Sequence, residues 1–278
     1  MKLKYITSIS KVLKEAGELA LALQQRAHAT LKKDNTWITE TDLAVETRLK
    51  EGLLKIIDAG FIGEEGTSRE GKDCWIVDPI DGTHAYKQGM EDFAIAIAFW
   101  KENEGVIGAV YRPHLKQLFY AEKGKGSYLI VHGKMQKIFV SKVNEIRDAT
   151  FVYDYRNKEP MLTMMSEIFE RIITPLVQHR YVKSPASVGI CEVARGSVDI
   201  LMMPGLGRWD IVGPTLILME AGGKYSNFRG ELNQDGPTLL ASNGILHERV
   251  LALVRPAYER HENARRSPVL HKSSEKIK

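Results

Sequence analysis

Segment 75–83, which reads WIVDPIDGT, contains the residues of this chain best suited to chemistry. Its apolar start is typical of a short buried strand, and Pro79 predicts that the strand ends in a sharp turn, because proline lacks a backbone donor. Asp78 and Asp81 would then lie on either side of that turn. Two carboxylates held close together repel unless a cation lies between them, and oxygen ligands suit a hard cation such as Mg²⁺.

The residues that follow this aspartate pair predict an anion site. Gly82 and Thr83 lead into residues 84–87, which can form one helical turn. Backbone N–H groups at the start of such a turn attract an anion, and phosphate is the usual one. His84 lies two residues beyond Gly82 and is a candidate for the mouth of the site. The segment therefore offers a metal pair and a phosphate cradle side by side.

Three further acidic residues stand at predicted element ends. Glu64 follows a short strand, 14 residues before Asp78. Asp42 and Asp210 each open a predicted helix, and Trp209 precedes the second of them. Each has an ordinary structural interpretation, since a Glu after a strand is usually solvated and an Asp before an apolar helix is usually an N-cap. Only the combination of these residues indicates a function.

In order and local context, these residues resemble the inositol monophosphatase-like family of Mg²⁺-dependent, lithium-sensitive phosphatases. The matching segments are TETD at 39–42, GEE at 63–65, DPIDGT at 78–83, WD at 209–210 and EAGG at 220–223. The resemblance extends from the first helix to about residue 254. It implies a layered α-β-α-β-α sandwich with α+β and α/β parts, and hydrolysis of a small phosphate monoester by a metal-activated water.

The resemblance also implies a metal-binding role for each matching residue. Glu64, Asp78 and the carbonyl oxygen of Ile80 would hold one Mg²⁺ ion. Asp78, Asp81 and Asp210 would hold a second ion, so that Asp78 bridges the pair. The family pattern thus implies two or three Mg²⁺ ions per site.

Other roles implied by the resemblance concern the third ion, the water and the phosphate. Glu64 would help to hold the third ion, with Glu65 contributing through a water molecule. Thr83 and Asp42 would orient the attacking water. The backbone N–H groups of Gly82 and Thr83 would bind the phosphate oxygens.

The predicted substrate pocket departs from the inositol-specific pattern. Seven positions before the helix-opening aspartate, inositol enzymes carry an acidic residue, whereas this chain has Met203. A thioether is a poor acceptor, so we expect inositol 1-phosphate to be a poor substrate. A leaving group with a second anionic or aromatic part would bind better, through Arg208 and His84. Met203 is also consistent with a core position, the commoner fate of methionine.

Two kinds of alternative function stay open. Within the enzymes, residues 84–86 (HAY) resemble the histidinol-phosphate phosphatases, and the Lys-Asp-Asn run near residue 33 resembles the 3′-phosphoadenosine 5′-phosphate phosphatases. Outside the enzymes, a regulatory binding protein can keep the phosphatase fold without turnover. Such a protein usually loses a metal ligand, whereas every matching carboxylate is present here. The sequence therefore favours the enzyme.

Three regions must position these residues. Residues 1–140 read as two amphipathic helices, beginning near Ile6 and Glu40, against a mainly antiparallel sheet. Residues 141–254 alternate strand and helix candidates, which is typical of an α/β half that closes the site. Residues 255–278 form a basic, polar tail that we expect to be disordered.

Composition limits the partners. The net charge of +4 over 278 residues is matched by the tail, which has seven Lys or Arg and three Glu, so the body is neutral and predicts no nucleic-acid surface. No apolar run approaches the roughly 20 residues that span a bilayer, and charges interrupt the N-terminal apolar pattern, so we expect a cytoplasmic protein without a membrane partner. The resemblance implies a small phosphorylated metabolite as the partner, and a homodimer.

Overall fold

Two β-sheets with helices between and outside them organise this chain. The computed structural model describes residues 3–24, 29–31, 37–154, 161–182, 185–232 and 238–266. The α-helices in these ranges are α1 (Ile6–Gln24), α2 (Glu40–Ile56), α3 (Thr83–Lys87), α4 (Met161–Ser166), α5 (Ala186–Ala194), α6 (Arg208–Glu220) and α7 (His247–Arg266). A π-helical stretch, Glu167–Ile173, continues α4, and Ile146–Asp148 forms a 3-10 turn. No helix in the described ranges is both long and apolar enough to cross a membrane.

An eight-stranded sheet carries most of the first half. Its strands are β3 (Gly60–Gly63), β4 (Ser68–Arg69), β5 (Cys74–Asp81), β6 (Ala94–Lys101), β7 (Glu104–Arg112), β8 (Gln117–Glu122), β9 (Ser127–Val131) and β10 (Lys134–Ile138). They lie in the order β10-β9-β8-β7-β6-β5-β3-β4, and all neighbours are antiparallel except β3 and β5. A separate small ribbon pairs β1 (Ala29–Leu31) with β2 (Trp37–Thr39).

The second half forms a five-stranded mixed sheet. Its strands are β11 (Thr150–Tyr153), β12 (His179–Val182), β13 (Ile200–Pro204), β14 (Lys224–Ser226) and β15 (Thr238–Ser242), in the order β12-β11-β13-β15-β14. β11 runs parallel to β12 and β13, and the other neighbours are antiparallel. Alternation of strand and helix along this half agrees with the α/β character that the sequence predicts.

Three apolar layers bury these sheets. Helices α1 and α2 pack on one face of the large sheet, where their buried stripe includes Leu13 and Leu49. Helices α5 and α6 fill the space between the two sheets. The outer face of the small sheet is covered by α7 and by the helical segment 161–173. This arrangement confirms the α-β-α-β-α sandwich.

Two expectations about elements are wrong. β5 does not end at Pro79 but continues to Asp81, because the extra residue is accommodated in a bulge: Asp78 pairs with Ala96 and Asp81 with Ala94. A bulge is one of the few places where a strand tolerates a residue without an N–H group. Disorder from residue 255 is also wrong for residues 255–266, which belong to α7; residues 267–278 lie outside the described ranges.

The reason for the longer last helix is its apolar face. Val250, Val254, Ala257 and Tyr258 are all buried against the small sheet, with spacings of three and four residues. The charged residues between them dominate the composition of this stretch, so a compositional reading predicts disorder although the spacing favours a helix.

Candidate active site

The two aspartates of β5 lie at its carboxyl end, in the interior. Asp78 and Asp81 are 1% and 7% exposed. The Asp78 carboxylate accepts a hydrogen bond from the backbone N–H of Ile80 at 3.0 Å, which stabilises the bulge around Pro79. The bulge therefore places both side chains at the same end of one strand without a turn between them.

The first turn of α6 adds a third carboxylate. Asp210 is 7% exposed and accepts the backbone N–H of Gly207 at 2.6 Å, which fixes the start of the helix. One oxygen each of Asp78, Asp81 and Asp210 lies within 4.8 Å of the other two. The structure thus brings together three acidic residues that the sequence predicts as metal ligands, from both halves of the molecule.

These negative charges act on one another. The pKa of Asp78 is raised well above its usual value, first by burial and then by the charges of Glu64, Asp81 and Asp210, with a hydrogen bond between the Glu64 and Asp78 side chains adding to the effect. Like charges in a low-dielectric site favour either a bound proton or a bound cation. An oxygen-only donor set of this kind fits a hard divalent cation.

Glu64 reaches this cluster from the turn after β3. Its backbone N–H donates to the carbonyl oxygen of Val77 at 3.1 Å, which continues the parallel pairing of β3 with β5. This pairing sets Glu64 beside Asp78. Parallel strands bring their carboxyl ends to the same sheet edge, so the parallel pairing of β3 with β5 places Glu64 and Asp78 together.

Asp81 is bound by the start of α5. Its carboxylate accepts the backbone N–H groups of Ala186 and Ser187, at 3.3 and 2.7 Å, and the Ser187 hydroxyl at 2.5 Å. The N-terminal end of a helix stabilises a negative charge through its free N–H groups. Ser187 does not appear among the residues predicted from the sequence.

Gly82 and Thr83 form the turn that leads into α3. Gly82 has φ of +92°, and a Cβ atom there would lie 3.0 Å from Pro185 and 3.1 Å from the carbonyl oxygen of Asp92. Glycine is therefore required by both conformation and space. The Thr83 hydroxyl donates to the Ile80 carbonyl oxygen at 3.1 Å, which connects two residues predicted for the site.

Asp42 faces the interior from the first turn of α2. It is 1% exposed, so this carboxylate is buried together with the apolar residues of α2. The pKa of Tyr86 is raised to about 12, mainly by burial; the negative charge of Asp42 adds to the rise and a hydrogen bond with Thr41 opposes it.

Arg208 opens α6 two residues before Asp210, and its guanidinium is directed toward Trp100. Its guanidinium stacks over the Trp100 ring, 4.6 Å from the ring centroid. Trp100 pairs with Cys74, four residues before Asp78 on β5, which is about 13 Å along the strand at 3.3 Å per residue. The guanidinium thus packs on a residue whose strand position is away from Asp78, although Arg208 itself opens the helix that carries Asp210.

The other two substrate candidates have contrasting positions. Met203 is 2% exposed and belongs to the core between the sheets, as the alternative interpretation of the sequence has it. His84 is exposed on α3, directly after the Gly82–Thr83 turn. Of the two, only His84 is accessible from solvent.

Comparisons with known proteins agree with this geometry. Residues 2–260 match the model of the inositol monophosphatase family. A fructose-1,6-bisphosphatase/inositol-1-monophosphatase of Aquifex aeolicus is 30% identical over 269 residues, which cover 92% of this chain and 98% of that protein. A histidinol-phosphatase of Mycobacterium tuberculosis is 31% identical over 254 residues, covering 84% of this chain and 95% of that protein.

The fold has a matching solved structure. An IMPase of Thermotoga maritima superposes with a TM-score of 0.83 at 26% identity, covering 93% of this chain and 99% of that one. The likeness includes both sheets and the helices between them, because almost the whole of each chain is covered.

Proposed function

The chain belongs to the inositol monophosphatase family and is a phosphate-monoester hydrolase, and we propose that it works with Mg²⁺ held at the carboxylate cluster. The ligands in this proposal are Glu64, Asp78, the Ile80 carbonyl, Asp81 and Asp210, with two or three ions per site. The observation that carries it is the meeting of three buried carboxylates within 4.8 Å. Such a group is costly in the interior unless a cation balances it.

A divalent cation at this place would neutralise the phosphate charge and make a water molecule a better nucleophile at neutral pH. The protein's own contribution is to hold the reactants. Asp42 and Thr83 orient the attacking water, and the backbone N–H groups of Gly82 and Thr83 hold the phosphate oxygens. The hydrogen bond from Thr83 to the Ile80 carbonyl supports this role, because it fixes the hydroxyl next to a proposed ligand.

The proposed substrate is a small phosphorylated metabolite of the inositol 1-phosphate type. The relatives described above are named for inositol phosphate, fructose bisphosphate and histidinol phosphate. The expectation of poor inositol hydrolysis depends on Met203 standing where inositol enzymes carry an acidic acceptor, but Met203 is buried in the core and does not face solvent here. A cytoplasmic location and a homodimer stay predictions.

One experiment tests the function and the substrate class together. Purified protein is assayed for phosphate release from inositol 1-phosphate, histidinol phosphate, fructose 1,6-bisphosphate, 3′-phosphoadenosine 5′-phosphate and glycerol phosphate. We expect turnover that is lost with a chelator and restored by Mg²⁺, with inositol 1-phosphate among the better substrates. Activity that persists in excess chelator would contradict the metal proposal. A strong preference for another substrate on the panel would contradict the proposed substrate class.

A further inference from the structure

Glu46 is a fully buried carboxylate that the roles above do not use. It lies one helical turn after Asp42 on α2 and is 0% exposed. Each of its oxygens accepts one backbone N–H from the turn between β3 and β4: Glu65 donates to Oε2 at 3.0 Å and Thr67 to Oε1 at 3.1 Å. A buried charge is costly unless it is hydrogen-bonded, so this carboxylate and this turn depend on each other.

The turn is shaped to receive the carboxylate. A Cβ atom on Gly63 would overlap the Glu46 carboxylate, so the glycine makes the close approach possible. Gly63 also donates its N–H to the Thr67 carbonyl oxygen at 2.9 Å, which closes the turn. Glu64, the proposed metal ligand, therefore belongs to a turn whose residues Gly63, Glu65 and Thr67 all contact the Glu46 carboxylate.

The strand that follows this turn adds little apolar packing to it. β4 consists of two exposed residues, Ser68–Arg69, at the edge of the sheet. Gly66, in the middle of the turn, has φ of +93°, and a Cβ atom there would meet nothing within 4 Å. A short exposed edge strand contributes little apolar packing. The two hydrogen bonds to the Glu46 carboxylate therefore add a buried, charged contact to the backbone hydrogen bonds that close the turn.

We propose that Glu46 is a positioning residue for the metal site: by holding turn 63–67, it fixes Glu64 beside Asp78. This inference rests on the proposed function, in which Glu64 binds a metal ion. Groups that hold a metal ligand in place commonly change metal affinity by about 10- to 100-fold when they are removed. Each Glu46 oxygen accepts one N–H from the turn, so both ends of this carboxylate act on the turn that carries Glu64.

The test variant is Glu46→Gln, which preserves size and one acceptor. Its amide NH₂ group would face one of the two backbone N–H donors, so one hydrogen bond is replaced by a donor–donor contact. The matched control is Glu220→Gln. Glu220 also accepts two backbone N–H groups from a turn, those of Gly124 and Gly126 at 2.6 and 2.7 Å, but it lies at the other end of α6 from Asp210.

Mg²⁺ binding to the wild-type protein and both variants is measured by titration calorimetry, together with thermal unfolding without metal. We expect Glu46→Gln to weaken Mg²⁺ binding by about tenfold or more. Glu220→Gln should leave Mg²⁺ binding at the wild-type value even if its melting temperature falls. Unchanged binding in Glu46→Gln, or an equal loss in both variants, would overturn the inference. Lack of binding by the wild-type protein would instead refute the metal proposal.

A measurement on the wild-type protein protects the test if Glu46→Gln does not fold. Hydrogen exchange of the Glu65 and Thr67 amides should be slow in metal-free protein, because both are bonded to the buried carboxylate before any ion arrives. Fast exchange at both amides without Mg²⁺, followed by protection on its addition, would mean that the ion orders the turn and that Glu46 does not.

Discussion

The carboxylates of the site come from two regions that hold them in different ways. β5, inside the eight-stranded sheet, provides Asp78 and Asp81 from one strand, and pairing with β6 fixes their spacing. The second half provides Asp210 from the first turn of α6, and it surrounds Asp81 with N–H groups from the start of α5. β5 therefore supplies two carboxylates at a fixed spacing, whereas the start of α6 supplies one carboxylate and the start of α5 supplies N–H donors.

Because of this difference, substitutions on β5 and substitutions under α6 should affect the site in different ways. A change on β5 alters the ligands without moving the sheet, because strand pairing depends on backbone hydrogen bonds. The position of Asp210 depends on how closely α6 lies on the sheet. Two glycines set that distance: a Cβ atom on Gly108 would collide with the Gly213 carbonyl, and one on Gly213 with the Ile97 carbonyl. The helix side of the site should be the more sensitive to packing.

The largest effect is expected on the strand side. Asp78→Asn removes a charge and a ligand at the proposed bridge, so turnover should fall by several orders of magnitude with the fold retained. Metal-free stability should hold or rise, because the buried carboxylate is crowded by Glu64, Asp81 and Asp210. Steady-state kinetics and thermal unfolding give both values. Near-normal Mg²⁺-dependent turnover in Asp78→Asn would end the two-metal interpretation.

The control for this variant is Asp58→Asn. Asp58 forms an exposed ion pair with Arg69 at 2.6 Å, outside the site, and exposed pairs contribute little. Turnover of Asp58→Asn should match that of the wild-type protein. A comparable loss there would show that the assay responds to charge in general.

A packing change should act on the helix side. Gly213→Ala places a Cβ atom against the Ile97 carbonyl, so α6 must move away from β6 and carry Asp210 with it. A displacement of about 1 Å in an active site can cost on the order of 100-fold, and we expect a loss of kcat/KM of that size. Mg²⁺ titration of the variant should show weaker binding as well. Full activity with only a lower melting temperature would mean that α6 packing does not set the position of Asp210.

Gly105→Ala is the matched control. It lies on β7 under the same helix, but its Cβ atom would first meet a side-chain carbon of Val212, at 3.3 Å, which can adjust. We expect a much smaller loss of kcat/KM than for Gly213→Ala. Equal losses in both variants would assign the effect to general loosening of the interface.

The strand side was the more predictable from sequence. Asp78, Asp81 and Gly82 lie within five residues, so their proximity needs no tertiary knowledge. Helices α1 and α2 follow from apolar spacing alone. The prediction that the strand ends at Pro79 is wrong because β5 pairs with β6 through a bulge. The geometry of a partner strand cannot be predicted from the local residues.

The supporting residues were the least predictable. Glu46 accepts the backbone N–H of Thr67, and Ser187 donates its hydroxyl to the Asp81 carboxylate. Both partners are far along the chain, and no local motif encodes such a contact. The i to i+4 spacing of Asp42 and Glu46 on one helical face was the available signal. The side-chain direction of Arg208 could not be predicted from local sequence either, because it depends on a contact with the ring of Trp100 on a strand of the other half.

Arg208 joins the two regions and should have the smallest effect of the three. The sequence predicts that Arg208→Ala selectively weakens substrates with a second anionic group, whereas stacking on Trp100 leads us to expect a uniform change. A cation–π contact at a partly exposed site contributes about 0.5–1 kcal/mol, so specificity constants across the panel should fall together by less than about fivefold. Trp100→Leu should remove the same contact, and the double variant should be less damaging than the sum of the two. A loss confined to substrates with a second anion would instead return Arg208 to the pocket and make the start of α6 a substrate-binding element as well as a ligand carrier.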